Sequence, residues 1–94
     1  MIRRDGAKIT LSGPVTLANA AQVLEEGRRH LAEGAAMIDF GEVTELDSTA
    51  IALALAWLRE AREAKREVGF ANLPESLQTL ARLYGVETFL SAKA

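Results

Sequence analysis

The residues best suited to chemistry in this chain of 94 residues stand side by side: Asp47, Ser48 and Thr49, a carboxylate followed by two hydroxyls. They come where an apolar segment begins. One use of such residues is capping, because an Asp or Ser oxygen accepts hydrogen bonds from the N–H groups that a first helical turn leaves unpaired. Another is presentation of a hydroxyl at the positive end of a helix. There a phosphate on Ser48 or Thr49, or a hydrogen-bonding group of another protein, would be stabilised by the dipole and the free N–H groups. Capping needs one such residue and three are present, so both uses stand open at this point.

Other reactive combinations are missing. Ser48 has no base to activate it, since the single His30 belongs to another segment and has no Asp partner. His30 also lacks a second His or Cys at ligand spacing. Asp39-Phe40-Gly41 spells the metal-binding triplet of kinases, but the glycine-rich and catalytic loops of a kinase are absent, and the triplet reads as strand end and turn. Asp39, Glu42, Glu45 and Asp47 match no cation-binding loop and read as a solvated rim. No phosphate-binding Gly-x-x-x-x-Gly-Lys loop occurs. With no cysteine in the chain, disulfides and thiolate chemistry are excluded. The expectation is a non-enzyme with no catalytic residue, metal or cofactor.

The elements that must position Asp47 to Thr49 follow from patterning. Ile2-Arg3-Arg4 and Lys8-Ile9-Thr10-Leu11 suit strands joined at the hairpin dipeptide Asp5-Gly6. Ser12-Gly13-Pro14 should end the second strand. Thr16 is a candidate N-cap for a helix whose apolar row is Leu17, Ala21, Leu24 and Leu31, with Arg28 completing it by its aliphatic stem and Gly34 as stop. Met37-Ile38-Asp39-Phe40 fits a strand covered on both faces. A second helix spans about Ser48 to Lys65, a short strand Val68 to Ala71, and a third helix opens at Asn72-Leu73-Pro74. The third helix has a stripe of Leu77, Leu80, Ala81 and Tyr84, with Gly85 after it. Val86 to Leu90 is a last ordered piece, and residues 91–94 read as a tail. The order ββαβαβα predicts a single α/β domain over residues 1–94, with a mixed, mostly parallel sheet.

At 100° per residue, Ala50, Leu53, Ala54, Trp57, Leu58, Ala61 and Ala64 form the buried face of the second helix. The opposite face carries Ala52, Ala56, Arg59, Glu63 and Arg66, with Ile51 and Leu55 at its margin. Its first two turns thus bear no charge. Either they form a flat, weakly apolar docking surface or the buried face is wider than usual. Net charge is −2, which offers no nucleic-acid footprint. The longest apolar run, Ala50 to Leu58, has nine residues, short of the roughly 20 needed to span a bilayer. Met1 to Arg4 is not followed by a signal-peptide core, so a soluble, cytoplasmic protein is expected.

Together, the strand Met37-Ile38-Asp39-Phe40, then Val43, then Leu46-Asp47-Ser48-Thr49 and an Ala/Leu helix resemble a STAS domain. The likeness covers nearly the whole chain. Within the family it is nearest the MlaB type, on Ile9 to Gly13, on Leu46 to Leu53, and most specifically on Thr79-Leu80-Ala81-Arg82-Leu83-Tyr84-Gly85-Val86. The functionally important hydroxyl of that type falls on Ser48, and the phosphorylated serine of anti-sigma factor antagonists falls on Thr49. Ala50 stands where the family usually has Gly. The resemblance implies an accessory subunit that docks on the cytosolic ATPase of an Mla-type phospholipid-transporting ABC complex, beside its permease. Such a subunit helps maintain outer-membrane lipid asymmetry and lies at the inner membrane through its partners. The alternative is an anti-sigma factor antagonist switched by a kinase-type anti-sigma factor. Asp47, Ser48, Thr49, Ile51, Ala52 and Leu55 are the expected partner-binding residues.

Overall fold

The computed structural model describes residues 1–91. Its elements are β1 (Ile2–Asp5), β2 (Lys8–Val15), α1 (Ala20–Ala32), β3 (Met37–Leu46), α2 (Thr49–Glu63), β4 (Gly69–Ala71), α3 (Glu75–Leu83) and α4 (Glu87–Ser91). The strands form one sheet in the order β1-β2-β3-β4. β1 pairs antiparallel with β2, while the β2–β3 and β3–β4 pairs are parallel. The expected mixed α/β sheet is therefore present, with α4 as an element beyond the predicted order. Ser91 closes α4, which corrects the expected tail at that residue, and residues 92–94 lie outside the described residues.

One sheet face is apolar. Ile9, Leu11, Ile38 and Phe40 are buried to within 1% on it, and Phe70 stacks at a tilt on Phe40 with ring centroids 6.2 Å apart. The other face is largely polar, yet Asp39 on it is buried as well, so the expected cover of Met37 to Phe40 on both faces is present but polar on one of them. Arg3, Thr10 and Asp39 lie in one cross-strand row there. Thr10 and Asp39 are buried, with Lys8 3.7 Å from Asp39 and Asn72 donating to it, while Arg3 makes paired bonds to Glu42. Burial alone would raise the Asp39 pKa, but bonds from Asn72 and from the Gly41 N–H, with Lys8 nearby, hold it below the usual range.

Strands β2 and β3 run further than their patterns predict. Three residues of β3, Phe40 to Glu42, advance against two of β2, and the register slips again beside Gly13-Pro14. Such bulges break the alternation on which strand reading depends. Asp39-Phe40-Gly41 is therefore bulged strand, not strand end, and Gly41 donates its N–H to Asp39 Oδ1 at 2.7 Å. Pro14 is tolerated because β1 pairs β2 only as far as Leu11.

Helix α1 begins three residues later than expected. Its N-cap is Asn19, not Thr16, and its buried residues are Val23, Gly27 and Leu31. Leu17 and Ala21, placed on the buried row by the sequence reading, are exposed, Leu17 by 75%. The true row was hidden because its centre is a glycine. Trp57 of α2 is fully buried against Gly27, and a Cβ there would stand 2.5 Å from the indole ring. The indole N–H donates to the Leu24 carbonyl at 3.1 Å. Arg28 ties the same helices together from outside through Glu60, with Nη2 to Oε2 at 2.6 Å.

Helix α3 buries Leu77 and Ala81, half-buries Leu80, and leaves Tyr84 54% exposed, so Tyr84 leaves the predicted stripe. At Tyr84 the helix has ended, and Gly85 turns the chain at φ +73°.

The Gly27–Trp57 contact makes a stability prediction. Gly27→Ala should gain about 1 kcal/mol of helix propensity and lose more, about 1–3 kcal/mol, to overpacking. A lower urea midpoint is expected. Trp57→Phe should destabilise alone yet recover part of the loss in the Gly27→Ala background. An unchanged midpoint for Gly27→Ala would contradict the packing.

Candidate functional site

The site lies where β3 hands over to α2. Leu46 still pairs with Val15, so the ends of β2 and β3 arrive side by side. The next residue, Asp47, gathers the chain around it. Oδ1 accepts the Thr49 N–H at 2.9 Å and also the Thr49 hydroxyl. Oδ2 accepts the Leu17 N–H at 3.1 Å, from the loop between β2 and α1. That loop holds its shape through Asn19, which accepts from the Thr16 N–H and donates to the Pro14 carbonyl. One carboxylate therefore fixes both the first turn of α2 and the neighbouring loop.

The three polar residues have separate roles. Asp47 supplies the cap-like bonds, although Ser48 occupies the N-cap position and makes no side-chain capping bond. Thr49 is half-buried with its hydroxyl engaged by Asp47. Ser48 is exposed, and its hydroxyl makes no hydrogen bond among the described residues. Both α2 N–H groups that follow are taken: Ala50 donates to the Asp47 carbonyl at 3.0 Å and Ile51 to the Ser48 carbonyl at 3.1 Å. Of the two candidate phospho-acceptors, Ser48 is the one free to react or to meet another molecule.

Placement of the remaining predicted residues is mixed. Ala52 is exposed and Leu55 half-buried, on the same side of α2 as Ser48. Ile51 is a correction: it is 4% exposed and belongs to the core, because the buried face of α2 is turned toward it and away from Leu58 and Ala64. Leu58 is half-buried and Ala64 exposed, so the buried set is Ala50, Ile51, Leu53, Ala54, Trp57 and Ala61. The structure adds Leu17, whose backbone bonds to Asp47 and whose side chain is exposed. Asn19, a residue type favoured at N-caps, is the signal for it, since a helix starting there begins past Leu17; its side chain itself bonds the preceding loop rather than the helix. No group of three or more His, Cys, Asp or Glu side chains among the described residues could hold a metal ion. No described helix is long and apolar enough to cross a membrane.

The bonds from the Thr49 hydroxyl, then from the Leu17 and Thr49 N–H groups, hold the Asp47 carboxyl below the ordinary aspartate range. Folding therefore favours its ionised form. That contribution is complete above the unfolded value, near 3.9, and is lost as pH falls through the lower folded value. Asp47→Ala should be less stable than the parent at neutral pH, with the difference shrinking as the pH drops below about 4. Paired urea titrations across that range check this. A difference that stays constant into strong acid would contradict the assigned bonds.

The family model described as "Mlab, STAS domain" matches residues 1–91. The solved structure of the anti-sigma factor antagonist SpoIIAA in its unphosphorylated form is similar, with TM-score 0.72 over 99% of this chain and 87% of that one, at 17% identity. A structure described as Mglu is similar with TM-score 0.56 over 80% of this chain but only 19% of its own length, at 20% identity. Both likenesses are of fold. No curated protein matches the sequence.

Proposed function

The chain belongs to the MlaB-type STAS domain family, and from that premise we propose that it is a non-enzymatic accessory subunit docking on the cytosolic ATPase of an Mla-type ABC transporter. Its contribution is to support the ATPase and the attached permease in phospholipid transport that maintains outer-membrane lipid asymmetry. The protein is then cytoplasmic and lies at the inner membrane through its partner complex, and residues 1–94 act as one domain.

The observation that carries the reading is the uncharged start of α2. The free Ser48 hydroxyl, exposed Ala52 and half-buried Leu55 share one side of the helix, next to exposed Leu17. Apolar and small side chains around one available hydroxyl suit a protein interface, where aliphatic contacts exclude water and a hydrogen bond fixes register. Asp47 acts here as a positioning residue, Thr49 is spent on Asp47, and Ile51 supports the surface from beneath.

Affinity capture of the tagged protein from its native host should bring down an ABC ATPase. Ser48→Arg and Ala52→Asp should each weaken that capture by about tenfold or more, since each buries an unpaired charge. Their circular dichroism spectra should match the parent, because both positions are exposed. Full binding by both variants would remove this surface from the account.

An anti-sigma factor antagonist is the second reading, favoured by the free Ser48 hydroxyl in a fold like that of SpoIIAA. It predicts a single phosphate when a kinase-type anti-sigma factor and ATP are supplied, on the free Ser48 hydroxyl or on Thr49, where the antagonists' phosphorylated serine falls, and its loss in Ser48→Ala or in Thr49→Ala tells which. Intact-mass measurement reads this directly. An unmodified mass with the kinase present would leave the docking subunit as the standing function.

A further inference from the structure

A cleft of about 210 Å3 opens between the second halves of α1 and α2. It lies at the other end of α2 from Ser48, roughly 20 Å away along a 15-residue helix. Leu31 and Ala32 wall it on the α1 side, and Ala61 and Ala64 on the α2 side, with Trp57 at its floor. These lining groups are all apolar, and the alanines leave open the space that larger side chains would fill.

The rim is charged and unequal. Arg28 and Glu60 satisfy each other there, with bonds of 2.8 and 2.6 Å. Arg66 is different. It spends Nη1 on the Leu31 carbonyl at 2.6 Å, which fixes its head at the rim. It forms no ion pair with a carboxylate among the described residues. The mouth of an apolar cleft thus carries one guanidinium with no carboxylate partner among the described residues. A planar guanidinium with free N–H donors matches a carboxylate.

The size limits what can enter. Apolar cavities of about 150 Å3 admit benzene-sized molecules, whereas drug-sized ligands need about 300 Å3 or more. We propose that this cleft is a binding site for a small amphipathic monocarboxylate of the medium-chain type, its alkyl body between α1 and α2 and its carboxylate on Arg66. The site is independent of the docking surface on α2.

Octanoate is the probe, and Trp57, the only tryptophan, is the reporter. Titration should change its emission saturably. Ala64→Leu, at an exposed position on the wall, should abolish the saturable change while leaving the urea midpoint near the parent value. Arg66→Gln should weaken octanoate by about fivefold or more and leave octanol unaffected, since only the carboxylate uses the guanidinium. Ser48→Arg should bind octanoate as the parent does, whatever it does to partner docking. A non-saturable emission change in the parent would overturn the proposal. So would saturable binding that survives Ala64→Leu, or octanoate affinity that ignores Arg66→Gln.

Discussion

The seating of Trp57 against Gly27 is the contact on which the rest of the molecule depends. A large aromatic side chain buries more apolar area than its neighbours, and its N–H must find an acceptor when water is excluded. Here the Leu24 carbonyl supplies it, and the missing Cβ of Gly27 makes the space. Once this contact is made, the rotation of α2 is set. Ile51, Leu53 and Ala54 turn inward, and Ser48 and Ala52 turn out. The same contact sets the spacing of α1 and α2, and with it the cleft walled by Ala61 and Ala64 at their far ends.

Asp47 does at one end of α2 what Trp57 does in the middle. Its two oxygens hold the first turn of the helix and the Leu17 loop together. This explains why a polar triplet is useful where one cap would suffice. The carboxylate organises, Thr49 completes the carboxylate's bonds, and the Ser48 hydroxyl is left exposed. Ala50 is fully buried in the core, so this position packs rather than bends.

Much of this was legible in the residues, for reasons that can be named. Strand–helix alternation and the Asp5-Gly6 turn revealed the sheet class, because period and turn chemistry are local. Gly85 marked the end of α3 for the same reason. The start of α1 is ambiguous in sequence because Thr16 and Asn19 both resemble caps, and only the bonds of Asn19 to Thr16 and Pro14 separate them. The row Val23, Gly27, Leu31 could not be seen from hydropathy, since a glycine opposite a tryptophan carries no apolar side chain of its own. Bulges hid the second half of β3, and the polar burial of Asp39 depends on Lys8 and Asn72, both distant in sequence. At the site, the hydroxyl triplet and the uncharged helix start were readable, whereas the separate fates of Ser48, Thr49 and Ile51 required three dimensions.

Amide hydrogen exchange on the complex with the co-purified ATPase tests the central claim most directly. Protection on binding should concentrate at Leu17 and across residues 46–56, leaving the polar sheet face around Arg3 and Lys8 unchanged. Protection confined to that sheet face, or to α3 and α4, would contradict the assignment of the α2 start as the working surface of this domain.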